Sequence, residues 1–581
     1  MKRLPKVRAA FAVLSAAGLL GLAPHARAQT ATAPTATATT APTVATAPTG
    51  AVISARPGER PPRALPETSA GGVRLSLDEA VALAVANNQD LDVSVNTAEA
   101  SRYILLSNWG IFDPLAEASI LRSHTETPAT SNLVGAAVST RDSTDFSTRI
   151  TQLAPTGGTF SLGFTVDRTS QNSSFFFVNP AYTSGLTFSF DQPLLRNFGR
   201  DTTTWLIRTA RNSRDATYQN FVRSVQGTVN SVELAYWDLV YALRNLEVKK
   251  ESRSLSAELN RITKIKIDVG SLAPIDIVQT EVGIATAEQE IIIAEGLIGD
   301  AQDRLKRLLN FDPSKWNVTI VPVDELRAEQ PGVEVEEGLK RALVARPEIL
   351  ATQYGVDNDR IRYEYWRNQT RPALDLVGSY GFAGLGGTTT LRDEMGNIIS
   401  RSRGDLGDSL QQITDRDFKN WSIGLNFSYP ILNRRAKGQR GAALYSWEAS
   451  KANLGAVEQN VMLEVRSAAR DIETARRSTV AAQKARGLAE RNLDAERKKF
   501  DNGMTTSFQV LQITNNLSAA RTIELQSLAV YRKALSQYHY AIADILDWKG
   551  IRIEDLPEFA PPPAESLAPR PLPPTPPPAA Q

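Results

Sequence analysis

The chain has 581 residues, and its 65 lysines and arginines nearly balance its 63 aspartates and glutamates. A formal net charge of +2 argues against a general nucleic-acid-binding protein, which would carry a strongly basic domain. The chain has no cysteine, so disulfides, thiolate chemistry and cysteine-based zinc sites are excluded.

The first 28 residues have the pattern of a secretory signal peptide. A basic segment at 2–8 precedes an apolar segment at 9–23, and Ala-Arg-Ala at 26–28 fits a cleavage site. We therefore predict an exported protein whose mature form begins near Gln29. No later segment is an apolar run of about 18 residues, so a membrane crossing by this chain would have to use β-strands.

Both ends of the predicted mature chain are of low complexity. Residues 29–72 are rich in alanine, threonine and proline, and residues 551–581 are rich in proline. Such segments contain too few large apolar side chains to offset the entropy of an ordered chain. We predict a disordered arm at the start and an exposed tail at the end.

The sequence between these segments is predicted to consist of two repeats, 73–325 and 326–550. Similar segments occur in the same order in both halves, which is better evidence than any single motif. The matching pairs are LDEAVALAVANNQDL (77–91) with VEEGLKRALVARPEI (335–349), FSFDQPLLRNFGR (188–200) with FSYPILNRRAKG (427–438), and KIDVGSLAPIDIVQ (266–279) with FDNGMTTSFQVLQ (500–512).

Each repeat ends in a long helical pattern that a glycine interrupts. Apolar residues alternate spacings of three and four along 225–246, 454–475 and 528–545, which is typical of a coiled-coil seam. Glycine tolerates the left-handed conformation that ends a helix, so we predict that the chain reverses at Gly270 and Gly503. The result is two antiparallel helical hairpins with arms of about 40 to 55 residues, or roughly 60 to 80 Å.

A different rhythm precedes each hairpin, because apolar residues alternate with small polar ones, as in strands of a membrane barrel. The predicted strands are 115–121, 185–190, 374–382 and 421–429, with a further hairpin within 145–170 and loops at 123–144, 170–184 and 384–414. The same alternation is expected of a soluble sandwich whose core is the apolar face. Strand chemistry does not decide between the two.

About four core strands are too few to close a membrane barrel. Open sheet edges cannot face hydrocarbon, because each unpaired backbone group costs several kcal/mol there. We therefore expect copies of the chain to pool their strands. Three copies would supply about twelve strands, enough to enclose an aqueous lumen.

Five segments carry a family resemblance through their order and duplication rather than through any one motif. They are LDEAVALAVANNQDL (77–91), QPLLRNFGR (192–200), VELAYWDLVYALRNLEV (232–248), VGSLAPIDIVQTE (269–281) and DNGMTTSFQVLQ (501–512). From about residue 75 to residue 546, the chain resembles the TolC-like outer membrane efflux protein family.

The resemblance implies an α+β membrane protein in the cell outer membrane with a large periplasmic portion. A homotrimer is expected, in which three protomers share a transmembrane β-barrel within outer-membrane lipid and an α-barrel of helical hairpins. The implied function is export, either efflux or type I secretion, with a periplasmic adaptor (membrane fusion) protein and an inner-membrane transporter as partners. Neither a cofactor nor a catalytic site is expected, because no bond is made or broken in such a channel.

The resemblance also assigns the two hairpin turns to the periplasmic tip that meets the adaptor. The expected docking residues are Gly270, Ser271 and Leu272 in the first turn, and Gly503, Met504 and Thr505 in the second. The alternative is that these glycines only reverse the chain, and both interpretations can hold together.

The tip is also the expected gate. Related channels often carry aspartates six and nine residues after the second tip glycine, where this chain has Gln509 and Gln512. Amides give weak cation selectivity, whereas a ring of carboxylates would favour cations. Asp276, six residues after Gly270, matches an acidic position of the first hairpin. Its alternative role is a charge that favours the dipole at a helix N-terminus.

Reactive constellations and metal sites are not expected in this sequence. His124 and His539 are the histidines left after signal-peptide removal, and they lie far apart in the chain. The sequence has no P-loop, G-x-S-x-G or H-E-x-x-H motif. The alternative to a channel is a periplasmic or extracellular coiled-coil scaffold with a soluble β domain, and an exported enzyme is a third, weaker interpretation because no reactive constellation is present.

Overall fold

The computed structural model describes residues 52–53, 72–128, 137–173, 176–328, 334–393 and 397–553. The predicted signal peptide lies outside the described residues, as do nearly all of the predicted N-terminal arm and the C-terminal tail after residue 553.

Eleven α-helices and eleven strands are found within the described residues. The helices are α1 (Leu77–Asn87), α2 (Gln89–Trp109), α3 (Arg200–Thr203), α4 (Trp205–Asp268), α5 (Ile275–Leu308), α6 (Val335–Ala345), α7 (Pro347–Gln369), α8 (Leu406–Asp415), α9 (Arg434–Asp501), α10 (Ser507–Ala541) and α11 (Ile545–Trp548). The strands are β1 (Val52–Ile53), β2 (Val73–Leu75), β3 (Leu115–Pro128), β4 (Val138–Leu153), β5 (Thr159–Gln171), β6 (Val178–Pro193), β7 (Ile320–Pro322), β8 (Ala373–Arg392), β9 (Ile398–Ser402), β10 (Phe418–Ser428) and β11 (Arg552–Ile553).

The two halves of the chain have corresponding helices of similar length. Helices α1 and α6 each have 11 residues, and α2 and α7 have 21 and 23. The long helices α4 and α9 have 64 and 68 residues, and the returning helices α5 and α10 have 34 and 35. The predicted class, α+β with two long helical hairpins in two structural repeats, is confirmed.

The outgoing helices α4 and α9 are longer than the predicted arms. At 1.5 Å per residue they measure about 96 and 102 Å. The prediction followed the apolar seams, whereas each helix begins well before its seam, in the polar sequences 205–224 and 434–453. Helix α7 packs against both of these helices, so their polar first parts also have helical neighbours.

The largest core lies where α1, α4 and the end of α5 pack together. Val225, Val229 and Val232 of the predicted seam are completely buried there. In the second half, the seam residues Val465 and Ile472 of α9 are buried in a separate cluster with α6 and α10. The predicted seams are therefore the buried faces of both long helices.

One buried tyrosine connects the main core to the parallel strand pair β2–β7. The Tyr236 hydroxyl lies 2.6 Å from Asp324 Oδ2 and 3.0 Å from the Leu75 carbonyl oxygen. Asp324 Oδ2 also accepts a hydrogen bond from the backbone N–H of Leu77 at 2.8 Å. Burial, followed by the hydrogen bond with Asp324, raises the pKa of Tyr236, so this hydroxyl remains a donor.

Six strands form one antiparallel sheet in the order β10-β8-β6-β5-β4-β3, and the short strand β9 pairs with β8. The register places apolar residues side by side on one face, such as Trp421 beside Tyr380 and Phe188 beside Leu162. The opposite face is small and polar, with Ser189 between Ser161 and Ser379, for example. All four predicted strands and the extra hairpin are present in this sheet.

The predicted loops are wrong in much of their length. Strand β3 extends to Pro128 and β4 begins at Val138, inside the predicted loop 123–144. The predicted loop 384–414 contains the end of β8, all of β9 and most of α8. Serine and threonine occupy both faces of the strands in these regions, so the apolar alternation used for the prediction disappears although the pairing continues.

None of the helices within the described ranges has an apolar stretch of the length that a bilayer requires.

The Tyr236 hydroxyl can be removed without changing the packing of the ring. Tyr236→Phe leaves the Asp324 carboxylate and the Leu75 carbonyl short of a buried donor, and we expect the free energy of unfolding to fall by about 1 to 3 kcal/mol. Denaturant titration of the detergent-solubilised protein measures this loss. Tyr445→Phe, at a side chain that is 75% exposed, is the control, and equal stability of both variants would contradict the prediction.

Candidate functional site

The first helical hairpin turns through a glycine-based cap at the end of α4. Gly270 has a φ of +77°, its N–H donates to the Ile267 carbonyl at 2.8 Å, and the Ser271 N–H donates to the Lys266 carbonyl at 2.8 Å. These two bonds define the Schellman motif, which satisfies carbonyls that the helix end leaves free. Pro274 then occupies the position before the first residue of α5.

The second hairpin repeats this geometry at the end of α9. Gly503 has a φ of +69°, its N–H donates to the Phe500 carbonyl at 3.1 Å, and the Met504 N–H donates to the Lys499 carbonyl at 2.8 Å. A β-carbon on Gly270 or Gly503 would have no heavy atom within 4 Å. Backbone conformation, rather than crowding, therefore accounts for glycine at both turns.

The two turns are joined to each other. The Lys266 ammonium donates to the Phe500 carbonyl and, at 3.2 Å, to the Asp501 carbonyl, and it lies 4.5 Å from the centre of the Phe500 ring. Behind this contact, Phe500 is buried in an apolar cluster with Leu259 and Leu511, drawn from α4, α9 and α10. The ends of both hairpins thus form one packed unit, which we call the tip.

The predicted docking residues divide into two groups at the tip. Gly270, Ser271, Gly503 and Met504 are exposed, whereas Leu272 and Thr505 are half-buried. Val269 and Met504 are 70% and 74% exposed, so the tip presents apolar side chains to its surroundings. The Thr505 hydroxyl, followed by the Lys499 ammonium, holds the pKa of Glu496 below its ordinary value. Thr505 therefore contributes to the structure of the tip.

The predicted gate residues occupy different surfaces. Asp276 is half-buried and accepts a hydrogen bond from the Ser507 hydroxyl at 3.1 Å, so it contacts the second hairpin. Gln509 and Gln512 lie on the exposed side of α10, and the Gln512 amide donates to the Asn516 side chain at 3.4 Å. The structure brings Asp276 to the start of α10, on the side facing away from the two glutamines.

Sequence reasoning missed a group of ion pairs that connects the two hairpins farther along the helices. Arg521 of α10 lies 2.5 Å from Glu251 of α4 and 3.1 Å from Glu490 of α9. Arg486 of α9 lies 2.6 Å from Glu524 of α10 and 3.4 Å from Glu490. We call these five residues the ion-pair belt. Arg486 and Glu490 are four residues apart on α9, but the other partners are tens to hundreds of residues apart, so helical charge spacing did not identify the belt.

The described residues contain no group of three or more histidines and carboxylates with the arrangement of a metal site. His124 lies in β3 and His539 in α10. His539 stacks on Trp548 at 4.2 Å, and its Nδ1 is 2.7 Å from Asp544 Oδ1.

Comparison with known proteins gives relatives that share this fold. The model of the family "Outer membrane efflux protein" matches residues 159–310 and 338–537. The chain is 22% identical to outer membrane protein TolC of Vibrio cholerae, over 64% of this chain and 80% of that protein. It is 23% identical to TolC of Escherichia coli and 24% identical to outer membrane efflux protein BepC of Brucella suis, over 54% and 53% of this chain but only 60% and 61% of those proteins.

Solved structures with the same fold are outer membrane channels. The Campylobacter jejuni CmeC channel matches with a TM-score of 0.58 and 17% identity, over 81% of this chain and 86% of CmeC. VceC of Vibrio cholerae gives a TM-score of 0.57 with 13% identity over 80% and 95% of the two chains, and the open Neisseria gonorrhoeae MtrE channel gives 0.55 with 14% identity over 84% and 98%.

The fold is therefore that of the outer membrane channels. Because the family model covers more than half of the chain, the chain belongs to the outer membrane efflux protein family. The relatives are named as outer membrane proteins, and the outer membrane is the location of this chain as well.

The two tip glycines can be tested against a matched glycine elsewhere. Gly270→Ala and Gly503→Ala force a β-carbon into a left-handed conformation, so each should lower the free energy of unfolding by about 1 to 2 kcal/mol. Gly487→Ala, inside α9, has equally open surroundings but ordinary helical geometry, so it should stabilise the protein by up to about 1 kcal/mol. Denaturant titration compares the three variants, and the same sign of change at all of them would contradict the assignment.

Proposed function

We propose that this chain is one of three identical subunits of an outer-membrane export channel. In this proposal a periplasmic adaptor and an inner-membrane transporter deliver substrates to the tip, and the substrates leave through a membrane barrel that the three subunits share. The channel performs no chemistry. We propose that residues 73–325 and 326–550 form the two repeats. A signal peptide at 1–28 and an arm at 29–72 precede them, and a tail at 551–581 follows them.

The observation that carries the proposal is the open sheet. Among the described residues, the edge strands β3 and β10 each have a paired neighbour on one side only, and they do not pair with each other. Unpaired backbone groups cost several kcal/mol each in hydrocarbon. Both edges therefore need strands from other copies of the chain if the sheet stands in a bilayer.

The two faces of the sheet support a membrane barrel rather than a soluble sandwich. In a sandwich the apolar face would be the covered core, but Trp421, Ile423, Leu425 and Phe427 of β10 are 63 to 72% exposed. On the polar face, serines of neighbouring strands pair directly, with the Ser379 and Ser422 hydroxyls 2.8 Å apart. An apolar exterior and a hydroxyl-rich interior are the pattern of a water-filled membrane barrel. This contrast disfavours the coiled-coil scaffold.

The tip supports the adaptor-docking part of the proposal. Its exposed apolar residues Val269 and Met504 lie beside the two glycine caps, farthest along the helices from the sheet. Exposed apolar groups of this kind mark surfaces for protein partners when they cluster. We further propose that Gln509 and Gln512 line a constriction with weak cation selectivity, and that Asp276 acts on this constriction only through its contact with Ser507 at the start of α10.

Pairing between subunits can be tested with engineered cysteines, because the chain has none of its own. Ser119→Cys in β3 is combined in turn with Asn420→Cys, Ser422→Cys and Asn426→Cys in β10, all on the polar face. At least one pair should cross-link subunits into dimers and trimers on non-reducing gels. Ser147→Cys in the central strand β4 replaces Ser119→Cys as the control and should give monomers. Cross-links confined to single chains would contradict the shared barrel.

Docking at the tip can be separated from strain in its turns. Gly270→Arg with Gly503→Arg should abolish export while trimers persist, because bulky charge covers the proposed contact surface. Gly270→Ala with Gly503→Ala imposes the same backbone strain with a small side chain, and it should retain most export. The measurement is drug susceptibility or secretion in cells that carry the cognate transporter. Equal export by both double variants would remove the docking assignment.

A further inference from the structure

We infer that the β4–β5 hairpin is part of the channel wall, so that the membrane barrel has eighteen strands rather than the twelve expected from four strands per chain. The inference rests on the proposed trimer. A barrel of eighteen strands would give the channel a wider exit, which would suit a bulky, hydrated solute as its cargo.

The hairpin is inserted within the sheet and not at its margin. Strand β4 pairs with β3 from Leu115–Thr151 to Pro128–Val138, and β5 pairs with β6 from Thr159–Asp191 to Thr169–Ala181. Because β4 and β5 also pair with each other from Arg141–Gln171 to Leu153–Thr159, β3 and β6 are separated by two strands. Each chain thus contributes the wall strands β3, β4, β5, β6, β8 and β10.

Both faces of the hairpin continue the faces of the neighbouring strands. One face carries Phe146, Ile150, Phe160, Leu162, Phe164 and Val166 together with Thr148, and the opposite face includes Ser147, Arg149, Ser161, Thr165 and Asp167. The Phe160 ring stacks on Phe188 of β6 at 6.3 Å. On the polar side, Ser147 pairs with Ser119 of β3 at 2.8 Å, and Ser161 pairs with Ser189 of β6 at 2.6 Å. A loop folded outside or inside the barrel would have no reason to keep this alternation.

The turn of the hairpin is attached to the junction between sheet and helices. The Gly199 N–H donates to the Thr156 carbonyl at 3.0 Å, and the Thr156 hydroxyl lies 2.8 Å from Gln192 Oε1. Gly157 packs so closely that a β-carbon would lie 2.4 Å from the Asn197 carbonyl oxygen. The junction residues all belong to the segment QPLLRNFGR. Strands β4 and β5 are therefore joined at the same junction segment in which β6 ends.

The number of strands determines the width of the barrel. Diameter grows roughly linearly with strand number, so eighteen strands enclose a barrel about 1.5 times as wide as twelve. Barrels of about 16 to 18 strands leave an open aqueous channel. The interior added by the hairpin carries serine and threonine hydroxyls together with Arg141, Asp145, Arg149 and Asp167, a polar surface that suits hydrated cargo.

Cysteine labelling of the complete chain tests whether the hairpin forms wall. A water-soluble maleimide added to cells should label Ser147→Cys and Thr165→Cys but not Ile150→Cys or Phe164→Cys. The control is the pair Ser422→Cys and Ile423→Cys in β10, which should show the same contrast. Labelling of both faces of the hairpin, together with a normal contrast in β10, would overturn the inference and leave the channel proposal intact.

The width of the barrel can be measured by the largest polymer that reaches a cysteine on its polar face. Ser379→Cys lies on the polar face of β8. It is labelled with poly(ethylene glycol) maleimides of increasing mass. The polymers are added from outside the cell, so they reach the cysteine without passing the tip. Deletion of residues 138–171 leaves β3 antiparallel to β6 and should reduce the limiting polymer radius to about two thirds. An unchanged limit in a trimeric deletion variant would overturn the inference.

Electron cryomicroscopy of the full chain in nanodiscs separates the two levels of the proposal. Eighteen strands around one lumen would support the inference. Twelve strands, with the hairpin outside the wall, would overturn it without affecting the proposed channel, whereas the absence of a trimer would overturn the proposed function itself.

Discussion

The requirement that backbone N–H and C=O groups be paired governs both parts of this chain. A helix meets the requirement within itself, so α4 and α9 can extend for about 100 Å without another segment to pair their backbone groups. A strand meets it only through its neighbours, and the edge strands β3 and β10 lack one each among the described residues. The helical part thus pairs its own backbone groups, whereas the sheet, in the proposed membrane channel, would need strands from further copies of the chain.

The same physics explains why the turns were predictable and the strand ends were not. A glycine that follows a long helical pattern can be interpreted from local sequence alone. Gly270 and Gly503 adopt positive φ, which favours glycine whatever surrounds the turn. The strand ends carry serine and threonine on both faces, so their pairing depends on partners elsewhere in the sheet. The alternation pattern therefore predicted the central parts of β6 and β10 correctly. The predicted end of β3 came too early, and most of α8 was predicted as a loop.

Contacts between distant segments could not be derived from one sequence. Arg521 and Glu251 are 2.5 Å apart in space but belong to different repeats. The link between the Tyr236 hydroxyl and Asp324 likewise joins a helix to the segment after a short strand. Among the predicted gate residues, spacing alone grouped Asp276 with Gln509 and Gln512, whereas the packing of α5 against the start of α10 turns the carboxylate toward Ser507.

The lysine four residues before each tip glycine is equivalent in the two repeats but has different partners. Lys266 reaches main-chain carbonyls at the end of α9, whereas Lys499 pairs with Glu496 on its own helix at 3.1 Å. In a ring of three chains, hairpin seams joined by Lys266 within a chain would alternate with seams between chains that lack this link. Dilation of the ring would then start between chains, with the hairpins of each chain moving as a pair. If the proposed trimer forms such a ring, its tip would open with threefold rather than sixfold symmetry.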